Sequence, residues 1–150
     1  MADGALLSLW VASRIRSEMS EPAFPQRRIL VVDDEAFVLE AVKMMLSFDG
    51  HLVTTVSDAR EALSVLERDE FDLVITDYAM PGMRGDELAA KIKTRKPKQP
   101  VVMITAYAEM LAGKTLPGVD FMISKPFLLE NLREAIAKVS PAVPKAARRC

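Results

Sequence analysis

The stretch Leu73-Val74-Ile75-Thr76-Asp77-Tyr78-Ala79-Met80-Pro81-Gly82 decides the fold. A short apolar run rich in β-branched residues ends in a single aspartate, and a turn with Pro and Gly follows at once. Such a run reads as a strand buried on both faces. Asp77 then sits where the strand leaves the core. A carboxylate there is costly to desolvate unless it has a partner or a task.

Working outward, the same pattern recurs. Ile29-Leu30-Val31-Val32 is a buried-type strand that runs into Asp33-Asp34-Glu35. Phe37, Val38, Ala41, Val42, Met45 and Leu46 follow in helical register, and Asp49-Gly50 stops that helix. Leu52–Val56 reads as a second strand, with His51 as a surface residue at its start. Ser57 or Asp58 can cap the next helix, whose apolar side is Ala59, Ala62, Leu63 and Leu66. After the Asp77 strand, Gly85-Asp86 opens a helix through Leu88, Ala89 and Ile92 that ends before Pro97. Val101–Ile104 is a fourth strand, ending at Thr105. A weak helix over 106–117, interrupted by Gly113 and Pro117, leads to a fifth strand over 119–123 and then to Ser124-Lys125-Pro126. Leu128, Leu129, Leu132 and Ile136 share one face of a final helix, closed by Ser140-Pro141. Strands alternating with helices across short loops imply a parallel sheet covered on both faces.

The totals agree with one domain. The chain has 150 residues, half of them hydrophobic, with 20 Lys+Arg against 21 Asp+Glu. That balance gives no electrostatic case for direct nucleic-acid binding. The single cysteine, Cys150, excludes an internal disulfide and fits a reducing, cytoplasmic setting. No apolar run approaches the roughly 20 residues that span a bilayer, and Asp3 ahead of Leu6–Val11 is wrong for a signal peptide. Residues 1–26 form a leader, loose or a short amphipathic helix through Leu6, Trp10 and Ile15. Residues 140–150 form a loose basic tail.

In a sheet of this kind ligands bind outside the carboxyl ends of the strands. The polar residues at those ends are Asp33, Asp34, Asp77, Thr105 and Lys125. Three converging carboxylates repel unless neutralised, and a hard cation such as Mg2+ takes oxygen ligands of this type. The Lys125 ammonium adds a second positive charge, and Thr105 adds a hydroxyl donor. These are the parts needed to stabilise a phosphoryl group transferring onto a carboxylate. Taken singly, Asp33, Asp34 and Thr105 would be helix caps and Lys125 a solvated lysine. Their common placement at strand ends is what caps do not explain. Gly113-Lys114-Thr115 carries the tail of a nucleotide-binding loop, but Ala108 stands where its first glycine belongs, so the phosphate must arrive on another donor.

Together Val31–Glu35, Asp77 to Gly85, Thr105-Ala106 and Lys125-Pro126-Phe127 resemble the receiver domain of two-component response regulators, over about residues 27–139. The resemblance implies a flavodoxin-like α/β domain with a five-stranded parallel sheet in the order 2-1-3-4-5. It implies that Asp77 accepts phosphate from a phosphohistidine on a sensor histidine kinase or histidine phosphotransfer protein. Mg2+ would be held by Asp34, Asp77 and the backbone carbonyl of Ala79, with Asp33 acting through water. Thr105 and Lys125 would hold the phosphoryl oxygens, and the bond before Pro126 would be cis.

One departure concerns the residue three before the lysine. The family usually has Tyr or Phe there, as a rotamer switch paired with the Thr. Here it is Met122, and Phe121 is one residue earlier, on the opposite side of an alternating strand. Either a bulge restores the aromatic or the switch is altered, and Tyr107 could take part of the role. The sequence suggests a stand-alone receiver that signals to a protein partner and is not an enzyme beyond its own phosphorylation and dephosphorylation. A homodimer through the last helices is compatible with it. The alternatives are a phosphatase of the haloacid-dehalogenase type, which would need a DxD nucleophile on the first strand, and a pseudo-receiver that binds partners without phosphorylation.

Overall fold

The computed structural model describes residues 25–140. Five parallel strands, β1 (Arg28–Val32), β2 (Leu52–Val56), β3 (Leu73–Asp77), β4 (Val101–Thr105) and β5 (Phe121–Ser124), lie in the order β2-β1-β3-β4-β5. The helices are α1 (Ala36–Phe48), α2 (Ala59–Arg68), α3 (Gly85–Arg95), α4 (Ala108–Leu111) and α5 (Leu129–Val139). This is the doubly wound order expected from the sequence. The leader up to residue 24 and the tail from residue 141 lie outside the described residues.

Strand alternation sorts the core into two layers. Leu30, Val32 and Val74 pack against Ala62, Leu66, Leu88 and Ile92 of α2 and α3. On the other face Ile29, Val31, Ile75, Ile104 and Ile123 pack against Leu39, Val42 and Leu46 of α1 and Leu132 and Ile136 of α5. β3 and β4 are buried throughout because helices cover both their faces, which is why they read as unbroken apolar runs. Asp58 caps α2 by accepting from the Arg60 N–H at 2.6 Å. Asp49, at the end of α1, accepts two hydrogen bonds from Arg133 of α5, each 2.8 Å, and these hold the two helices side by side.

Several expectations need correction. The buried face of α1 is Leu39, Val42 and Leu46, and Phe37 points outward at 83% exposure. Val65, with Leu63 only partly buried, completes the α2 face. Leu128 precedes α5 and is exposed, while Ala135 takes its place inside. The weak helix over 106–117 shrinks to one turn, α4, since Gly113, at φ +78°, lies just beyond it and Pro117 cannot extend it. His51 is buried, not at the surface: it is 5% exposed, and its Nδ1 accepts the Arg27 N–H at 3.1 Å.

Candidate functional site

The site is built where β1, β3, β4 and β5 end. Asp77 is the last residue of β3, opposite Ile104 of β4, and the Tyr78 N–H donates to the Ile104 carbonyl at 3.1 Å. The Thr76 hydroxyl donates to the carbonyl of Asp77 at 3.0 Å, which pins that peptide from the other side. The chain then turns through Gly82 at φ +80° and returns so closely that a Cβ on Gly85 would collide with the Asp77 carbonyl oxygen. Only glycine lets the head of α3 pass there.

The acidic side chains converge. One carboxylate oxygen from each of Asp33, Asp34 and Asp77 lies within 4.8 Å of the others. The Asp33 and Asp77 side chains are 4% and 7% exposed, whereas Asp34 is open to solvent. Lys125 reaches in from the end of β5, with Nζ 3.0 Å from Asp77 Oδ1 and 3.7 Å from Asp33 Oδ2. Its backbone is held by its own N–H donating to the Thr105 carbonyl at 2.9 Å, and the Lys125–Pro126 bond is cis.

Electrostatics bear the marks of crowded charge. Burial, with the neighbouring Asp77 charge, pushes Asp33 up to about 6 against the pull of the Glu35 N–H and Lys125. Burial alone would lower Lys125, but its hydrogen bond to Asp77 and the charges of Asp77 and Asp33 hold it above the ordinary lysine value. An acid left partly uncompensated among other acids is a site that a divalent cation with oxygen ligands would neutralise. The donor set therefore fits such an ion.

Thr105 is fully buried, and its Oγ1 accepts the Tyr107 N–H at 2.8 Å, a local cap of the kind expected of it. One hydroxyl hydrogen remains to donate. Tyr107 stands edge-on to Tyr78, with ring centroids 6.0 Å apart. The two rings, with Asp34, Ala79, Met80, Pro81, Arg84 and Met110, line a cavity of about 450 Å3 beside the carboxylates. Tyr78, Arg84 and Met110 were not singled out from sequence. The signal was there, since Tyr78 follows Asp77 directly and Tyr107 sits two beyond Thr105 on the adjacent strand.

β5 carries no bulge. Its register with β4 runs unbroken, Phe121 opposite Val102 and Met122 opposite Met103. Phe121 packs on the α1–α5 side, with the Lys138 ammonium 5.4 Å from its ring. Met122 stays on the other face, so no aromatic is restored at that position.

The family model described as the response regulator receiver domain matches residues 29–137. The chain belongs to that family. As a receiver it is 35% identical over 107 residues to the probable transcriptional regulatory protein TcrX of Mycobacterium tuberculosis, covering 69% of this chain and 45% of that protein. It is 38% identical over 108 residues to the response regulator MprA of Mycolicibacterium vanbaalenii, covering 70% and 46%. This receiver thus spans about half the length of these curated relatives. The crystal structure of response regulator protein TrrA from Thermotoga maritima, in complex with Mg2+–BeF, matches with a TM-score of 0.71 at 33% identity, covering 76% of this chain and 99% of that one. Among the described residues no helix is long and apolar enough to cross a membrane.

Proposed function

We propose that the protein is the phosphoacceptor receiver of a two-component system or phosphorelay, with Asp77 as the acceptor. The observation that supports this most is the Lys125 ammonium 3.0 Å from Asp77 Oδ1, beside the gathered carboxylates of Asp33 and Asp34. In the step proposed, a carboxylate oxygen of Asp77 attacks the phosphorus of a phosphohistidine on a sensor kinase or phosphotransfer protein. The new O–P bond forms as the N–P bond of the imidazole breaks, and the imidazole departs with the electron pair and takes up a proton. Lys125 neutralises Asp77 before transfer and then holds a phosphoryl oxygen. The Thr105 hydroxyl donates to another. Asp34, Asp77 and the Ala79 carbonyl would hold Mg2+, with Asp33 through water, and the ion would supply charge neutralisation across the transferring group.

A phosphohistidine donor must rest on the rim of the site. Phe37, in the first turn of α1 after the acidic loop, and Leu128, just beyond Pro126, are both exposed there. Exposed apolar side chains flanking a charged centre fit a protein donor better than a small one. The phosphatase alternative is disfavoured, because it needs its nucleophile on the first strand and the lysine-paired carboxylate ends the third.

Incubation with Mg2+ and acetyl phosphate, followed by intact mass, tests the proposal. The expected result is a gain of one phosphoryl group, stable in acid, labile in base, and absent in Asp77→Asn. No labelling with any donor would instead favour a pseudo-receiver, and rapid turnover of many phosphate esters would favour a phosphatase.

A further inference from the structure

α1 turns an apolar row to solvent. Phe37, Met44 and Phe48 are 83%, 73% and 79% exposed, and none of them belongs to either core layer. The exposed positions of α2, α3 and α5 carry no large apolar side chain. With half-buried Ala41 between them, the α1 residues stand at i, i+4, i+7 and i+11, so they form one stripe along about 16 Å of helix. Large apolar side chains in one row signal a surface that something covers.

The stripe is built to meet itself. Its intervals of 4, 3 and 4 residues read the same from either end, and they are the d-a-d-a spacing of a heptad seam. A second α1 laid antiparallel, about a twofold axis midway between Ala41 and Met44, brings Phe37 against Phe48 of the other copy. The small Ala41 then faces the long Met44, and each pairing occurs twice. The margins agree. On one side of the stripe exposed Glu40 comes beside Lys43 and Ser47 of the other copy, so each glutamate is offered the other's lysine. On the other side partly buried Val38 and Met45 widen the apolar surface. Covering Phe37, Met44 and Phe48 removes on the order of 400 Å2 per copy. With the flanking residues and the stems of Glu40 and Lys43, the pair buries roughly 1,200 Å2, the lower end for a specific interface.

We propose that two copies of this chain pair through the Phe37–Ala41–Met44–Phe48 stripe of α1, antiparallel about a twofold axis. An interface of that size gives a reversible dimer whose population depends on protein concentration. Phe37 lies at the rim end of the stripe, so a protein donor resting there meets the monomer. That consequence rests on the phosphoacceptor reading, and the pairing does not.

Sedimentation velocity of the full chain across a wide range of concentrations tests the pairing, in reductant so that Cys150 cannot link copies. Wild type and Lys91→Glu, at an exposed position of α3, should pass from monomer to dimer as concentration rises. Met44→Glu/Phe48→Glu should stay monomeric at the highest concentration, with far-UV circular dichroism showing that it is folded. Glu40→Lys should weaken the dimer by about fivefold, because two like-charged contacts arise at once, and Glu40→Lys/Lys43→Glu should restore it. A wild type that is monomeric at every concentration overturns the proposal and leaves the stripe to a different protein. A dimer that persists in folded Met44→Glu/Phe48→Glu also overturns it and moves the contact to another face, such as that of α5. A Glu40→Lys defect that Lys43→Glu does not restore overturns the antiparallel register. Each outcome is read without a phosphodonor, so failure here leaves the acetyl phosphate result standing.

Discussion

His51 shows how much one side chain can be decided by its surroundings. At the foot of the sheet it accepts the Arg27 N–H through Nδ1, and a proton there would end that bond. Burial pushes its pKa below 6.5; Asp49 and Asp72 pull it back up and Arg27 presses it further down. The unfolded chain takes its proton near the ordinary value, and the folded one resists it. Its contribution to stability is thus complete above about pH 6.5 and is lost as pH falls below that. Asp33 acts in the opposite sense, since its folded value of about 6 makes the native state the better proton acceptor between 3.8 and 6. Comparison with a His51→Gln variant cancels that effect. Denaturation from about pH 7.5 to about pH 5.5 should cost the wild type more stability than the variant, and parallel curves would contradict the assignment. The burial of His51 was not legible from sequence, because a lone histidine beside Gly50 gives no sign of which nitrogen is bonded or that α5 folds back nearby through Arg133.

At the scale of elements, the strands were the legible part. Buried parallel strands leave continuous apolar runs, and Asp33, Asp77, Thr105 and Lys125 punctuated four of them. The helices were less so, because a 3.6-residue period over few turns leaves two candidate faces. On α1 the sequence offered Phe37 and Val38 as readily as Leu39, and only the sheet decides between them. β5 and α4 carry the departure from the family pattern. An aromatic ring at position 122 would be stiff and could move as a unit with Thr105. Met122 is flexible, carries no hydroxyl, and cannot report the threonine's position in that way. Tyr107 is tied to Thr105 through its backbone N–H, which donates to the threonine hydroxyl oxygen. Structures with and without a phosphoryl mimic should show Met122 in the same half-buried place. A swing of Met122 from exposed to buried would contradict this.

For the molecule as a whole, the doubly wound order brings residues from four separate strand ends to one edge, and the sequence already held them in the correct succession. What the succession could not supply was distance: that Lys125 lies against Asp77 rather than Asp34, that Asp33 is buried and Asp34 is not, and that an aromatic cavity opens beside them. Those depend on how far each chain end projects past the sheet, as where Gly85 packs on the Asp77 carbonyl. The account places one carboxylate at the centre of this edge. It is tested most directly by finding the phosphorylated atom. The protein is treated with Mg2+ and acetyl phosphate, the acyl phosphate is reduced with borohydride, and the peptides are sequenced by mass. The account predicts homoserine at position 77 alone, and only when Mg2+ was present. Homoserine at position 33 or 34, or phosphate on a hydroxyl or imidazole that borohydride leaves intact, would contradict it.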